Sequence, residues 1–357
     1  MVDHKQALQD ISFFAGNRFD LVQAGGGNTS AKTGDNNMLV KASGINLSQV
    51  TTTSGYVPVD FLAIRHFLAN FDFSKLDKKQ REVAANKAMQ DSKLVDLGKP
   101  SIETFLHALL ATYTLHTHPV SVNILAAKKS WKEGLLGVWP DAICVPYHTP
   151  GIDLALAMAS EMNAYVARNG HFPKVVFLQN HGLIISSSDP QEVMALTDEV
   201  TRVIEKHLQL NLARYRRVTA LQTLLSSLGH PNVSIICNDD AVIQDNLACE
   251  KSNTEVWPFC PDTLIYCGVR PVFLNHQDDQ ESIQKYINSY HAHPKVLVLD
   301  EHVYFCAASL KKAKEAQELF KFHLLVCQKT QAQTQRLKLS EIAYLSNWDA
   351  EKYRQGV

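Results

Sequence analysis

The chain has 357 residues, of which 45% are hydrophobic and 20% are charged, and its formal net charge is −1. This composition is typical of a globular protein with a sizeable core. The near-neutral charge gives no electrostatic basis for binding nucleic acid or an anionic membrane surface. The length favours two domains, or one large domain with an extension.

The cysteines and the N-terminus indicate the compartment. The chain has seven cysteines and no C-x-x-C pair, which fits reduced, mostly buried thiols better than a disulfide framework. Residues 1–10 are polar and charged, without a signal-peptide core, and no apolar run approaches membrane-spanning length. We therefore expect a soluble, cytoplasmic protein.

Hydrophobic periodicity predicts alternating helices and strands. In chain order the patterns predict a helix over 5–15, a strand over 38–41, helices over 60–71 and 74–97, a strand over 111–115, a helix over 152–167, strands over 174–178 and 183–185, and one or two helices over 190–220. We expect one α/β domain over residues 1–225 and a smaller α/β extension over residues 226–357.

A glycine-rich turn follows the first helix. Residues 25–30 read GGGNTS, and backbone amides in such a turn can converge on an anion such as a phosphate or carboxylate. The turn is not a dinucleotide fingerprint, because G-x-G-x-x-G requires a glycine where Ser30 stands. Three consecutive glycines also occur in ordinary turns, so this signal is weak by itself.

Two histidines end the strand predicted over residues 111–115. His116 and His118 are separated by one residue, so their side chains point to the same face of a strand. Two imidazoles side by side on a rigid element form half of a metal site. Two ordinary strand-end histidines would give the same pattern.

Two further stretches favour the metal interpretation. His181 follows the strand predicted over 174–178, and a proline before a capping serine at Ser101 predicts a helix start with Glu103 in its first turn. The helix dipole alone also explains an acidic residue at this position. His107, one turn later, is predicted to be a core residue rather than a ligand.

These motifs occur in the order seen in class II aldolase/adducin proteins, which include fuculose- and rhamnulose-phosphate aldolases. The matching stretches, within residues 5–220, are 27–30 (GNTS), 43–44 (SG), 100–103 (PSIE), 116–119 (HTHP) and 180–182 (NHG). The chain most resembles the aldolase half of bifunctional rhamnulose-phosphate aldolase/alcohol dehydrogenase proteins. Residues 347–354 resemble the segment that links the two halves of those proteins, and no nucleotide fingerprint is present.

The resemblance implies a fold and a reaction. The fold is a mainly antiparallel central sheet covered by helices, with a smaller C-terminal α/β extension. The reaction is cleavage of a ketose phosphate or related sugar to a dihydroxyacetone-phosphate-like ketone and an aldehyde, through an enediolate. His116, His118 and His181 would bind zinc or another divalent metal ion with an open fourth position, as in catalytic zinc sites. The small aldolases are tetramers, so a homo-oligomer is implied.

The resemblance also implies roles for individual residues. Glu103 would occupy the open metal position at rest and then move the carbon-bound proton. Tyr147 looks like the tyrosine that protonates the departing aldehyde oxygen, although a core tyrosine would give the same pattern. The implied phosphate-binding residues are Asn28, Thr29, Ser43, Gly44 and Ser101.

Two departures from the small aldolases concern the substrate more than the metal. Ile102 replaces a serine that would donate to phosphate, and the interval from Glu103 to His116 is shorter than in those aldolases. A dehydratase, decarboxylase or 4-epimerase of the same family remains an alternative, because all share the metal and the enediolate. A non-catalytic adducin-like interaction module is a further alternative, but adducin-type members lack the histidines that are present here.

The C-terminal region contains an echo of the N-terminal one. Residues 294–302 (PKVLVLDEH) resemble residues 173–181 (PKVVFLQNH), and a helical pattern follows both. We interpret this as a degenerate repeat of a strand–turn–strand–helix unit. His291 and His293 precede the strand rather than follow one, so a second metal site is not expected.

Overall fold

The computed structural model describes residues 3–34, 36–230, 233–250 and 258–346. The chain divides into two compact units, Met1–Leu212 and Ala213–Val357. The boundary predicted after residue 225 falls within the first helix of the second unit. The linker-like residues 347–354 lie outside the described residues.

The first unit contains both helices and strands. Its helices are α1 (His4–Gly16), α2 (Phe61–Asn70), α3 (Lys78–Asp91), α4 (Thr104–Leu109), α5 (Val120–Ala126), α6 (Trp131–Val138), α7 (Ile152–Asn169) and α8 (Pro190–Leu208). Its strands are β1 (Asn28–Lys32), β2 (Asn37–Lys41), β3 (Tyr56–Asp60), β4 (Tyr113–Thr117), β5 (Ile143–Val145), β6 (Val175–Leu178) and β7 (Gly182–Ser187). The helix predicted over 74–97 is shorter than expected, because Asp77 and Gln80 form a capping box that starts α3.

The strands of the first unit form a seven-stranded sheet in the order β3-β2-β1-β4-β7-β6-β5. Neighbouring strands are antiparallel except β5 and β6, which are parallel. This confirms the predicted α/β class with a mainly antiparallel central sheet.

Helices cover both faces of this sheet, so its central strands are buried along their whole length. On one face, Leu115 belongs to the same core as Ile11 of α1. On the other face, Ile184 of β7 belongs to the same core as Phe105 of α4. Since side chains alternate along β4, His116 faces the α4 side. The packing of α4 on the sheet therefore brings Glu103 and His116 to the same face.

The second unit is also α/β. Its helices are α9 (Ala213–Ser227), α10 (Ala241–Glu250), α11 (Pro261–Cys267), α12 (Gln280–Tyr290), α13 (Leu310–Thr330) and α14 (Leu339–Ser346), and its strands are β8 (Ser234–Cys237), β9 (Val272–Phe273), β10 (Val296–Leu299) and β11 (His302–Ala307). The sheet order is β8-β11-β10-β9, with β9 and β10 parallel and the other pairs antiparallel. Strands β4-β7-β6-β5 of the first unit have the same order and the same orientations. A long helix follows the hairpin in both units.

The hairpins of the two units differ in length by one residue. Leu178 pairs with Gly182 across a three-residue loop, whereas Leu299 pairs with His302 across a two-residue turn. The two turn residues, Asp300 and Glu301, have φ angles of 46° and 67°, as a type I′ turn requires. His302 therefore takes the place of Gly182 rather than of His181.

The strand register extends this comparison to the histidine pair of β4. His116 lies opposite Ile184, and Cys237 lies opposite Tyr304. Ile184 and Tyr304 are both two residues beyond the first residue of their strands. Cys237 thus takes the place of His116, and Asp239 takes the place of His118.

The described cysteines are free thiols, and Cys144, Cys267, Cys306 and Cys327 are buried. Burial raises the pKa of Cys144 to about 12, so this thiol stays protonated at neutral pH. In the described ranges, every helix is too short or too polar to span a bilayer.

Candidate metal centre

Four side chains converge at the carboxyl end of β4. His116 lies in β4, His118 follows it, His181 lies in the loop between β6 and β7, and Glu103 immediately precedes α4. The Nε2 atom of His116 is 3.1 Å from Nε2 of His118 and 3.3 Å from Nε2 of His181. Oε1 of Glu103 is 3.3 Å from Nε2 of His116 and 3.1 Å from Nε2 of His181. The fold therefore brings together the four residues that the sequence predicted for the metal and its base.

A backbone contact orients the His116 ring. Its Nδ1–H donates to the carbonyl oxygen of Leu183 on the neighbouring strand, at 3.0 Å. A carbonyl can only accept, so Nδ1 carries a proton and Nε2 points into the cluster. His116 is fully buried, and its ring has little freedom to turn away.

The loop between β6 and β7 holds His181. Asn180 adopts a left-handed conformation with φ 53°, which asparagine tolerates better than most residues. Nδ2 of Asn123, on α5, donates to the carbonyl oxygen of His181 at 3.2 Å. The loop is thereby attached to the helix that follows the His116–His118 strand.

The glycine-rich turn packs against His118. The amide of His118 donates to the carbonyl oxygen of Leu21 at 2.8 Å, and Nε2 of Gln23 donates to the carbonyl oxygen of His118 at 3.3 Å. A Cβ atom on Gly26 would lie only 2.8 Å from Nδ1 of His118. This turn therefore leaves room for a metal-ligand candidate, a role that its sequence did not indicate.

The four groups shift one another's pKa. Burial opposes ionisation of Glu103, but attraction to His116 and His181 outweighs it and holds the pKa of this carboxyl well below its usual range. Burial also opposes protonation of His116, but Glu103 raises the pKa of this imidazole. Burial, reinforced by the two other imidazoles, lowers the pKa of His118 to about 3. At neutral pH Glu103 is therefore ionised and His118 is neutral.

This donor set fits a divalent metal ion. Nitrogen lone pairs that face one another at 3.1 Å and 3.3 Å repel unless a proton or a cation lies among them. Imidazole nitrogens and a carboxylate oxygen are typical zinc ligands, and the bond from Nδ1 of His116 to a carbonyl is the usual support of a metal-bound histidine. Elsewhere in the described ranges, no group of three His, Cys, Asp or Glu side chains is comparably close.

Several of the predicted phosphate-binding residues lie near this cluster. Asn28 pairs with His116 in the sheet, and its buried Nδ2 has no partner among the described residues. The hydroxyl of Ser101 accepts from the amide of Glu103 at 3.3 Å. The amide of Ser43 donates to the carbonyl oxygen of Lys99 at 2.8 Å, which brings the turn at Ser43 and Gly44 beside the segment that leads to Glu103.

The side chain of Thr29 points away from the cluster. Its hydroxyl is 2.6 Å from the hydroxyl of Ser12 on α1, and both residues are buried. Thr29 follows Asn28 in β1, so the two side chains lie on opposite faces of the sheet.

His107, as predicted, is a core residue, with Nδ1 at 2.8 Å from the hydroxyl of Ser30.

Tyr147 lies in the segment after β5 and is 57% exposed. Its amide donates to Oε1 of Gln179 at 2.9 Å, which connects this segment to the loop that carries His181. Ile102, next to Glu103, is also 57% exposed. Both of these large side chains are thus open to solvent.

Lys41 is a charged residue near the site to which the sequence gave no role. It is only 4% exposed, and its ammonium has no hydrogen bond or ion pair within the described part of the chain. Burial lowers the pKa of Lys41, and the charge of Glu103 opposes this shift. The only signal in the sequence was its position, at the end of a strand that leads into the turn at Ser43 and Gly44.

Gly182 lies where β7 packs closely against β4, beside His118. A Cβ atom there would lie 2.2 Å from the carbonyl oxygen of Thr117 and 3.2 Å from Cδ2 of His118. We expect Gly182→Ala to lower the free energy of unfolding by about 3 kcal/mol, since overpacking forces the strands apart. Urea unfolding measures this change. Gly137→Ala is the control, because a Cβ there meets nothing within 4 Å, and equal effects of the two substitutions would refute the packing argument.

Comparisons with known proteins agree with this architecture. The family model for the class II aldolase and adducin N-terminal domain matches residues 13–208. The N-terminal class II aldolase domain of a conserved protein from Thermoplasma acidophilum is similar in structure, with a TM-score of 0.50 and 23% identity over 58% of this chain and 95% of that chain. At this identity the likeness shows the fold alone.

Two further solved structures are similar to a smaller degree. A sugar-phosphate aldolase from Thermotoga maritima gives a TM-score of 0.41 with 15% identity over 58% of this chain and 94% of that chain. An L-fuculose 1-phosphate aldolase gives a TM-score of 0.41 with 17% identity over 58% of this chain and 86% of that chain. No curated protein matches the sequence. Because the family match spans most of the first unit, the chain belongs to the class II aldolase and adducin family.

Proposed function

We propose that this protein is a zinc-dependent aldolase that cleaves a ketose phosphate, or a related sugar, into a dihydroxyacetone-phosphate-like ketone and an aldehyde. The observation that carries the proposal is the convergence of Glu103 with His116, His118 and His181. Family membership supports it, since class II aldolases depend on divalent metal ions.

The three histidines would hold the ion, and Glu103 would handle the proton. A bound divalent ion supplies Lewis-acid polarisation of the substrate carbonyl. Without the ion, attraction to His116 and His181 keeps the pKa of Glu103 low and makes it a weak base. A bound ion would take over this role, and moving the carboxylate away from the cluster would return its pKa toward the usual value, so it would become a competent base.

Cleavage requires two proton movements on opposite sides of the broken bond. The carbon that keeps the bonding electrons gains a proton from Glu103, and the hydroxyl that becomes the aldehyde oxygen loses one. We assign the second transfer to Tyr147, which would accept this proton as its phenolate. In the synthetic direction the carboxylate of Glu103 takes the carbon-bound proton and the hydroxyl of Tyr147 donates one to the aldehyde oxygen. Solvent then carries a proton from Glu103 back to Tyr147, and cleavage runs the same transfers in reverse.

The substrate's phosphate is proposed to bind beside α4. Asn28 contributes its unpartnered Nδ2, and Ser101 and the turn at Ser43 and Gly44 contribute further donors. Lys41 adds a positive charge that the sequence did not predict. Because the hydroxyl of Thr29 contacts Ser12, we assign this residue to packing rather than to phosphate. We also propose a homo-oligomer, in which a partner covers the exposed side chains beside the site.

The proposal predicts the products of a substrate panel. Zinc-loaded protein is expected to release aldehyde from at least one ketose 1-phosphate, and only weakly from its stereoisomers. The assay scores aldehyde release, dehydration and carbon dioxide across ketose phosphates and sugar acids.

Other outcomes of the panel would point to other functions. Dehydration, decarboxylation or epimerisation without aldehyde would replace cleavage by a sibling reaction of the family. No turnover of any compound would favour a non-catalytic, adducin-like module.

A further inference from the structure

A cavity of about 330 Å³ lies in the first unit, at the end of β4 opposite to the histidines. Ala111, which lines it, precedes His116 by five residues. At roughly 3.3 Å per residue of strand, the two positions are about 16 Å apart. The cavity is therefore separate from the metal centre, and its volume lies within the range of small-molecule sites.

The cavity wall is mainly apolar but carries positive charge. Leu109, Met162 and Phe172 are among its apolar side chains, and Arg65 and Lys174 are its charged ones. The lining includes no carboxylate. Lys174 forms an ion pair with Glu192, so Arg65 is the cation without a counter-charge.

Two backbone carbonyl groups fix the guanidinium of Arg65. Its Nε donates to the carbonyl oxygen of Ala108 at 2.5 Å, and its Nη2 donates to that of Leu110 at 3.2 Å. Nη1 has no hydrogen-bond partner within the described ranges. The guanidinium is thus held in place with one edge left to bind another group.

Lys32 is a second cation beside Arg65, and no acidic side chain among the described residues forms an ion pair with Lys32 or with Arg65. Nζ of Lys32 donates to the same two carbonyl groups, and both cations lie over the ring of Phe61, at 4.7 Å and 5.2 Å from its centroid. Burial, together with the charge of Arg65, lowers the pKa of Lys32 to about 7. In the part of the chain that the structure describes, neither cation has a salt-bridge partner. An anion in the cavity would offset this repulsion.

We propose that this cavity binds a small carboxylate with an apolar body. The carboxylate accepts hydrogen bonds from Nη1 of Arg65, and the apolar body lies against Leu109, Met162 and Phe172. Ser186, Ser187 and Ser188 also line the cavity, but the part of the wall that the apolar body would contact offers no partners for the hydroxyl groups of a sugar phosphate.

The probe for this site is 2-naphthoate, and its neutral analogue is 2-naphthamide. Equilibrium dialysis of the wild-type chain should give about one naphthoate per chain, bound at least tenfold more tightly than naphthamide. Arg65→Gln and Ala111→Trp should each weaken naphthoate binding at least tenfold, the first by removing the charge and the second by filling the cavity. Arg168→Gln, an exposed change of the same type on α7, should leave binding unchanged.

Two further results separate the cavity from the metal centre and from misfolding. His116→Ala should bind naphthoate as the wild type does; loss of binding there would assign the probe to the metal centre and overturn the proposal. The proposal would also fail if naphthamide bound equally well, or if neither cavity variant weakened binding. Circular dichroism identifies any misfolded variant, and Ala111→Trp provides the test if Arg65→Gln does not fold.

Discussion

His116→Ala should lower the zinc affinity of this protein by more than about 100-fold, which exceeds the loss typical of residues that merely support a ligand. The fully buried ring of His116 contacts both other imidazoles and Glu103 through one nitrogen. Its removal leaves His118 and His181 without the metal ligand that lies between them. Elemental analysis after dialysis should show about one zinc per wild-type chain and almost none in the variant.

The matched control is His302→Ala. This histidine begins a strand at the place that Gly182 has in the first unit, so its loss should leave the zinc content unchanged. A His116→Ala protein that retained one zinc per chain would remove His116 from the ligand set. Loss of an ion in the His302→Ala protein would instead point to a metal site in the second unit.

Glu103→Gln is expected to retain zinc but to slow exchange of the substrate's carbon-bound proton by about 10²- to 10⁴-fold, the usual contribution of a general base. Glutamine keeps the size of the side chain and can still contact His116 and His181, but it cannot take up a proton. Proton nuclear magnetic resonance in deuterated water measures the exchange, with a cleavable ketose phosphate from the panel as substrate.

Glu199→Gln, on the exposed face of α8, is the control and should exchange at the wild-type rate. Exchange at that rate in Glu103→Gln would show that another group is the base. Loss of zinc along with exchange would mean that Glu103 acts mainly as a ligand.

The parts of the site that were predictable from sequence depend on local patterns. The period of two along a strand put His116 and His118 on one face. The signals for a helix start placed Glu103 at the N-terminal end of α4. The order of the motifs then assigned His181 to the same site, although 62 residues separate it from His118. Strand and helix periodicity cannot predict a contact between residues so far apart in the sequence. The sheet register explains why the link holds, because β7 pairs directly with β4.

The features that sequence did not predict depend on packing. Thr29 is next to Asn28 in the motif, but the pleat of β1 turns its hydroxyl toward Ser12. Lys41 has the residue type of a surface lysine, and only the fold buries it near Glu103. The match of His302 to His181 assumed equal loop lengths, and one missing residue in the turn shifts the histidine onto the strand.

The shorter hairpin limits how a second metal centre could be engineered in the C-terminal unit. One residue would have to be inserted into the turn at Asp300 and Glu301 to move His302 off the strand, and imidazoles in place of Cys237 and Asp239 would be needed to copy the three-histidine set. Neither histidine substitution, nor both together, would complete this set while His302 stays in the strand. The insertion would disrupt a turn whose two residues already adopt positive φ angles. A three-histidine centre in this unit therefore depends on a change that first lowers stability.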